Sequence, residues 1–199
     1  PVTCKQVQFY NGGNAGVQEG QATTTGYMLF KRFNRSISKT SPGVASQNRP
    51  SIIFRLADFY LIYAEVANEV NPSDSRVLTY LNLVRERAGL PKVEILNPGI
   101  VGNKELQRAA IQRERQIELA TEGQRYFDVR RWMIADKDGE GRQNGYAHGM
   151  NVRGTINDTE EFNRVVETEK IVFNRKMYLQ PIPDHEMRKT QNLVQNPGW

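Results

Sequence analysis

From Ser51 onward, apolar residues recur at helical rather than alternating spacing. Ile52, Ile53, Leu56, Phe59, Tyr60, Tyr63, Ala64 and Ala67 cover a face too broad for a helix packed on one side, which predicts a central helix. The run NPSDS at 71–75 supplies the turn that follows: Pro72 stops the first helix, and Ser73 or Asp74 caps the second. Val77, Leu78, Leu81, Val84 and Ala88 carry the second helix to Gly89-Leu90-Pro91, a C-terminal glycine with a proline after it. Two antiparallel helices with small alanines at facing positions predict a tetratricopeptide-like hairpin, and one hairpin cannot bury both of its faces.

Residues 92–103 read as a linker, and a third long helix is predicted from Lys104 to about Thr121. Leu106, Ala109, Ala110, Ile117 and Ala120 give it a buried stripe. After Gly123 a further helix resumes with RYFDVRRWMIA, in which Tyr126, Phe127, Val129, Trp132 and Met133 are expected to face inward. Residues 136–154 read as loop, 173–179 as a strand-like run before PIP at 181–183, and Asp184 as the cap of a last short helix. The first 50 residues are rich in Gly, Thr, Asn and Ser, and only TGYMLFKRF at 25–33 is dense enough for a short strand or packed extended segment. The fold class is therefore all-α, with long loops and few strands: a lead-in at 1–50, a helical scaffold at 51–135, and loops with a terminal segment at 136–199. So long an irregular lead-in is unusual for a complete compact domain and suggests that something N-terminal is missing.

Charge narrows the partners. The 199 residues carry a formal net charge of +5 with a pI near 9.4. Lys31, Arg32 and Arg35 form one small basic group and Arg130 with Arg131 another, but acids interleave almost everywhere else, the pattern of a mixed-charge surface rather than a nucleic-acid footprint. No stretch approaches the roughly 18 apolar residues of a membrane span, and PVTCKQVQFYNGG lacks both the basic end and the apolar stretch of a signal peptide. Cys4 is the single cysteine and reads as a free thiol, without an internal disulfide or cysteine metal cluster.

Glu114, Glu118 and Glu122 fall at four-residue steps, so on a helix they form one column of like charge that cations must answer. Arg115, Arg125, Arg130 and Arg131, close in sequence with Asp128 among them, and Arg85 and Arg87 at the end of an earlier apolar segment, predict a helix-to-helix guanidinium–carboxylate lattice. Glu114 and Glu118 could instead be a glycosidase pair, since side chains four apart approach a retaining separation of roughly 5 Å. Nearby arginines argue against that use, and His148 and His185 fit no triad or metal spacing. Asp136, Asp138 and Glu140 resemble the front of a calcium loop, but position twelve is Ala147, not Glu. No cofactor or metal is called for. Tyr10, Phe30, Phe33, Tyr146, Phe162 and Trp199 lie in or near predicted loops, where a ring can stack on a ligand or anchor the loop.

Five blocks in order, TGYMLFKRF (25–33), FRLADFYLIYAEVAN (54–68), YLNLVRERAGLP (80–91), ERQIELATEGQRYFDVRRW (114–132) and KMYLQPIPDHEM with QNPGW (176–199), make the chain resemble the C-terminal half of the SusD/RagB family of cell-surface nutrient-binding lipoproteins. The resemblance implies an α-α superhelix and a non-enzymatic protein. It would be lipid-anchored on the outer face of an outer membrane through a cysteine outside this chain. It would bind oligosaccharide, or peptide in the RagB branch, and pass it to a SusC-like TonB-dependent transporter. The partners so implied are the ligand, that transporter and the missing N-terminal half. In the family these blocks are scaffold, so Arg55, Tyr63, Glu65, Arg85, Glu114, Arg115, Glu118, Glu122, Arg125, Asp128, Arg130 and Trp132 read as lattice or packing positions. Ligand contacts come from variable loops, and Tyr10, Phe33 and Tyr146 are the candidates. A helical-repeat adaptor is the rival of another class, but it leaves the loop-rich lead-in and the PIP and QNPGW segments without a purpose.

Overall fold

The computed structural model describes residues 25–27, 29, 31, 52–137, 145–152 and 165–199, with backbone alone at 145–147 and 165–169. Two compact units emerge, Asn48–Arg131 and Pro1–Gln47 together with Trp132–Trp199.

The first unit is helical: α1 (Leu56–Val70), α2 (Ser75–Arg87), the one-turn α3 (Val93–Leu96), a 3-10 turn at Pro98–Ile100, α4 (Lys104–Glu118) and α5 (Gln124–Arg131). Helix α2 begins where the sequence predicts, because the Asp74 carboxylate accepts from Arg76 N at 2.9 Å. It ends in a Schellman motif: Leu90 N donates to Arg85 O at 2.9 Å and Gly89 N to Glu86 O at 3.0 Å, with Gly89 at φ +74°. Asn103 caps α4 in the same manner as Asp74, accepting from Leu106 N at 3.1 Å. The hairpin of α1 and α2 closes on α4 through Leu61, Ala64, Val77, Leu81, Val84, Ile100 and Ile111, all buried. Each fully buried Leu or Ile contributes about 1.5–3 kcal/mol.

Three helix faces differ from the sequence expectation. Helix α1 starts at Leu56, not Ser51, and its buried stripe is Ala57, Asp58, Leu61, Ala64 and Asn68. Ile52, Ile53, Leu56, Phe59 and Tyr63 are exposed. The alanines set this choice, since small residues let the α2 and α4 backbones approach while the bulky residues point away. On α4 the buried residues are Gln107, Ile111, Glu114 and Arg115, whereas Leu106 and Ile117 are exposed. On α5 only Asp128 and Val129 are buried, and Phe127 is exposed. Polar side chains also stitch the helices. Buried Asn68 donates to Lys104 O at 3.0 Å, and buried Asn82 donates to the Glu94 carboxylate at 2.8 Å while accepting from Val93 N at 3.0 Å.

The second unit contains an antiparallel hairpin, β1 (Gly145–Met150) with β2 (Val165–Ile171), pairing Gly145 with Ile171 and Met150 with Val165 around a bulge near Tyr146 and His148. Residues 145–150 are thus strand where the sequence predicts loop, because pairing with a distant partner overrides a glycine-rich composition. Met150 N donates to Thr25 O at 2.9 Å, so the 25–33 segment meets this hairpin through a turn, not as a strand in its described residues. The predicted strand at 173–179 contains instead a 3-10 turn, Arg175–Tyr178. Its Tyr178 hydroxyl donates to Asp136 Oδ1 at 2.6 Å, which lowers the Asp136 pKa. Gln195 grips Ile182 by both backbone groups at 2.8 and 2.9 Å, and Trp199 Nε1 donates to Lys176 O and Leu179 O at 3.0 Å, tying the QNPGW end to the PIP segment.

Candidate functional site

Charged residues singled out from sequence meet across the helices of the first unit. Arg115, 2% exposed, donates Nη1 to Asp58 Oδ1 at 2.8 Å and Nε to Asp128 Oδ2 at 2.9 Å, so one guanidinium joins α1, α4 and α5. Its partners are aspartates, not the glutamate column. Arg131 extends this chain from Asp128 (2.9 Å) to Glu65 on α1 (2.5 and 2.6 Å). Arg85 on α2 donates to Glu114 on α4 at 2.9 Å.

A second group closes the end where α1 begins. Arg55 donates Nη1 to Glu118 at 2.5 Å and Nε to Glu122 at 2.8 Å, while exposed Arg87 reaches the same Glu118 oxygen. Hydrogen bonding to Glu122, and then to Glu118, raises the Arg55 pKa. The glutamate column is broken, because α4 ends at Glu118 and Glu122 sits in the turn that follows, between Thr121 (φ 66°) and Gly123 (φ +82°). It still reaches Arg55 because that reversal folds back over the start of α1. Arg125 is half-buried on α5, and Arg130 donates to Tyr126 O at 2.9 Å and stacks 3.4 Å from the centre of the Tyr126 ring.

Asp58 is the member that sequence reasoning passed over. The signal was an acid inside the apolar run LADFYLIYA, one helical turn before Leu61, where a carboxylate needs a buried cation. At the other end of α1, Glu69 accepts from Arg108 at 2.7 Å and pairs with Lys104 at 3.0 Å. Arg108, and then Lys104, pull its pKa down to about 2.

As chemistry, the arrangement is a brace: Glu114 is buried against Arg85, and Glu118 is shared by two arginines. A cleft of about 230 Å³ lies between α1 and α2, lined by Leu56, Ala57, Tyr60, Leu83 and Val84 and rimmed by Arg55 and Arg87. It is smaller than the roughly 300 Å³ at which ligand pockets begin. No group of three or more His, Cys, Asp or Glu placed to hold a metal occurs among the described residues. Tyr10, Phe33 and the 138–144 part of the calcium-like loop lie outside the described residues. Tyr146 stands on β1 opposite Lys170.

The sequence profile of the SusD family matches residues 2–199. Among curated proteins, the chain is 44% identical over 106 residues to SusD-like protein P25 of Formosa agariphila, an overlap of 53% of this chain and 19% of that protein. It is 31% identical over 153 residues to SusD-like protein P2 of the same organism, 74% of this chain and 26% of the relative. The crystal structure of a SusD-like protein from Bacteroides fragilis superposes with a TM-score of 0.59 at 30% identity, covering 75% of this chain and 26% of that one. The chain thus spans about a fifth to a quarter of the length of these relatives.

Proposed function

Because the chain belongs to the SusD family, we propose that the whole protein captures a nutrient at the cell surface, binding an oligosaccharide and handing it to a SusC-like TonB-dependent transporter in the outer membrane. The observation that carries this reading is the family match over residues 2–199 on a scaffold whose carboxylates are engaged by arginines. Capture needs a rigid frame to hold loops, and the lattice between α1, α2, α4 and α5 is such a frame. The protein is anchored by lipid, and cleavage is left to other proteins. Ligand contacts belong to loops, with Tyr10, Phe33 and Tyr146 as stacking candidates on this chain. A peptide ligand, as in the RagB branch, is the second reading.

Calorimetric titration of the whole protein with a panel of oligosaccharides and peptides, with the same samples screened for cleavage products, tests this. Saturable binding of one glycan class without cleavage supports capture of sugar. Binding of peptide alone moves the protein to the second reading, and turnover abolished by Glu114→Gln or Glu118→Gln in a folded protein overturns both.

A further inference from the structure

Two amides in the core of the helical unit are only partly satisfied. Among the described residues, the buried side-chain nitrogens and oxygens that lack a hydrogen-bond partner are Asn68 Oδ1 and Gln107 Oε1. Asn68 is 0% exposed and Gln107 1%. An acceptor taken out of solvent and given no donor costs about 1–3 kcal/mol, and native cores hold few such groups.

The two residues lie on facing helices at one level of the fold. Asn68, in the last turn of α1, donates Nδ2 to Lys104 O at the first residue of α4. Gln107 follows Lys104 by three residues, which puts it on the same side of α4 one turn further on, with about 5–6 Å between the two Cβ atoms. The bond to Lys104 also fixes which end of the Asn68 amide is which, because reversing it would set Oδ1 against a carbonyl oxygen. Both unsatisfied atoms are acceptors, so neither can answer the other.

We propose that one internal water molecule is bound between α1 and α4, donating one hydrogen to Asn68 Oδ1 and the other to Gln107 Oε1. Water has the chemistry the pair lacks. It carries two donors, and hydrogen bonds of about 2.8 Å let it bridge oxygens up to about 5 Å apart. Internal waters of this kind occur about once per 27 residues and hold otherwise unsatisfied polar groups. A side chain from elsewhere in the whole protein is not the donor, since both atoms are already buried within these 199 residues. A metal cation fits less well, because two neutral amide oxygens bring no charge to offset its desolvation. Glu69, the carboxylate next to Asn68 in sequence, is taken by Arg108 and Lys104. Such a site belongs to the scaffold and is independent of the nutrient that the whole protein captures.

A crystal structure of the whole protein, at a resolution that shows ordered solvent, is the test. The expected result is one water within about 3.2 Å of both oxygens. Direct contact between an amide nitrogen of one residue and the oxygen of the other, a metal ion at that point, or no density between them would overturn the proposal. Gln107→Met keeps the bulk and removes the acceptor, so crystals of that variant should lose the water. A water retained undiminished there would show that Gln107 does not hold it, and would also overturn the proposal. If the variant does not fold, the map of the parent protein alone decides.

Discussion

Arg115 Nη1 and Asp58 Oδ1 meet at 2.8 Å across 57 residues of sequence, and the same guanidinium spends its remaining face on Asp128. Removing the arginine strands the buried Asp58 carboxylate and leaves buried Asp128 to Arg131 alone. Arg115→Met in the whole protein should therefore cost about 3–5 kcal/mol. Arg87→Ala, which removes an exposed ion pair to Glu118, should stay within about 0.5 kcal/mol. Denaturant melts of the two variants against the parent measure the contrast, and equal losses would sink the distinction between inner and outer arginines.

Adding the companion substitution Asp58→Asn to Arg115→Met should recover part of the loss, since one orphaned charge is then gone. A double-mutant cycle should return a coupling energy above about 1 kcal/mol. Additive losses would mean that the two residues stabilise the fold independently.

Glu69 makes stability depend on acid. Its folded pKa of about 2 lies below the roughly 4.3 of an unfolded glutamate. Between those values the unfolded chain binds more protons, so the contribution is complete above about pH 5 and is lost as pH falls toward 2. The carboxylate is 41% exposed, and solvent screening limits the contribution to under about 1 kcal/mol. Glu69→Gln should lower the melting temperature slightly at pH 7, and the difference should shrink in parallel titrations to pH 3. A gap that widens with acid would contradict the pairing.

Gly89 and Gly149 should both resist alanine, for different reasons. An added Cβ at Gly89 meets nothing within 4 Å, so its cost is that of the backbone at φ +74°, about 1 kcal/mol. At Gly149 the Cβ would stand 2.9 Å from the Thr25 Cα, forcing the hairpin off that segment. Hydrogen exchange of Met150 N–H separates the cases: Gly149→Ala should speed it and Gly89→Ala should leave it unchanged.

The helices, the turn between α1 and α2 and the two ends of α2 were legible because they rest on local signals: Pro72, the Asp74 cap and Gly89 each act on their own neighbours. The faces were not. Periodicity counts apolar residues, so on α4 it selected Leu106 and Ile117 and passed over Gln107, Glu114 and Arg115, which are buried, the last two against partners on other helices. On α1 it took in Ala64 but also Phe59 and Tyr63, which are exposed, and passed over Ala57 and Leu61, which are buried. Strand β1 was hidden in a glycine-rich run whose partner begins only at Val165. The lattice was visible as charges demanding answers, but Arg55 as the partner of Glu118 and Glu122, and Asp58 as that of Arg115, required the three-dimensional arrangement.

Asn82 uses both ends of its amide on the first turn of α3, holding Val93 N and the Glu94 carboxylate from a buried position on α2. The connection from α2 is therefore clamped at its far side, and its length is not free to drift. New residues spliced between Gly89 and Lys92 would have to bulge outward and return to the same clamp. Residues added after Leu96 would lie beyond its grip, and the next point they would have to keep is Ile100, buried in the core.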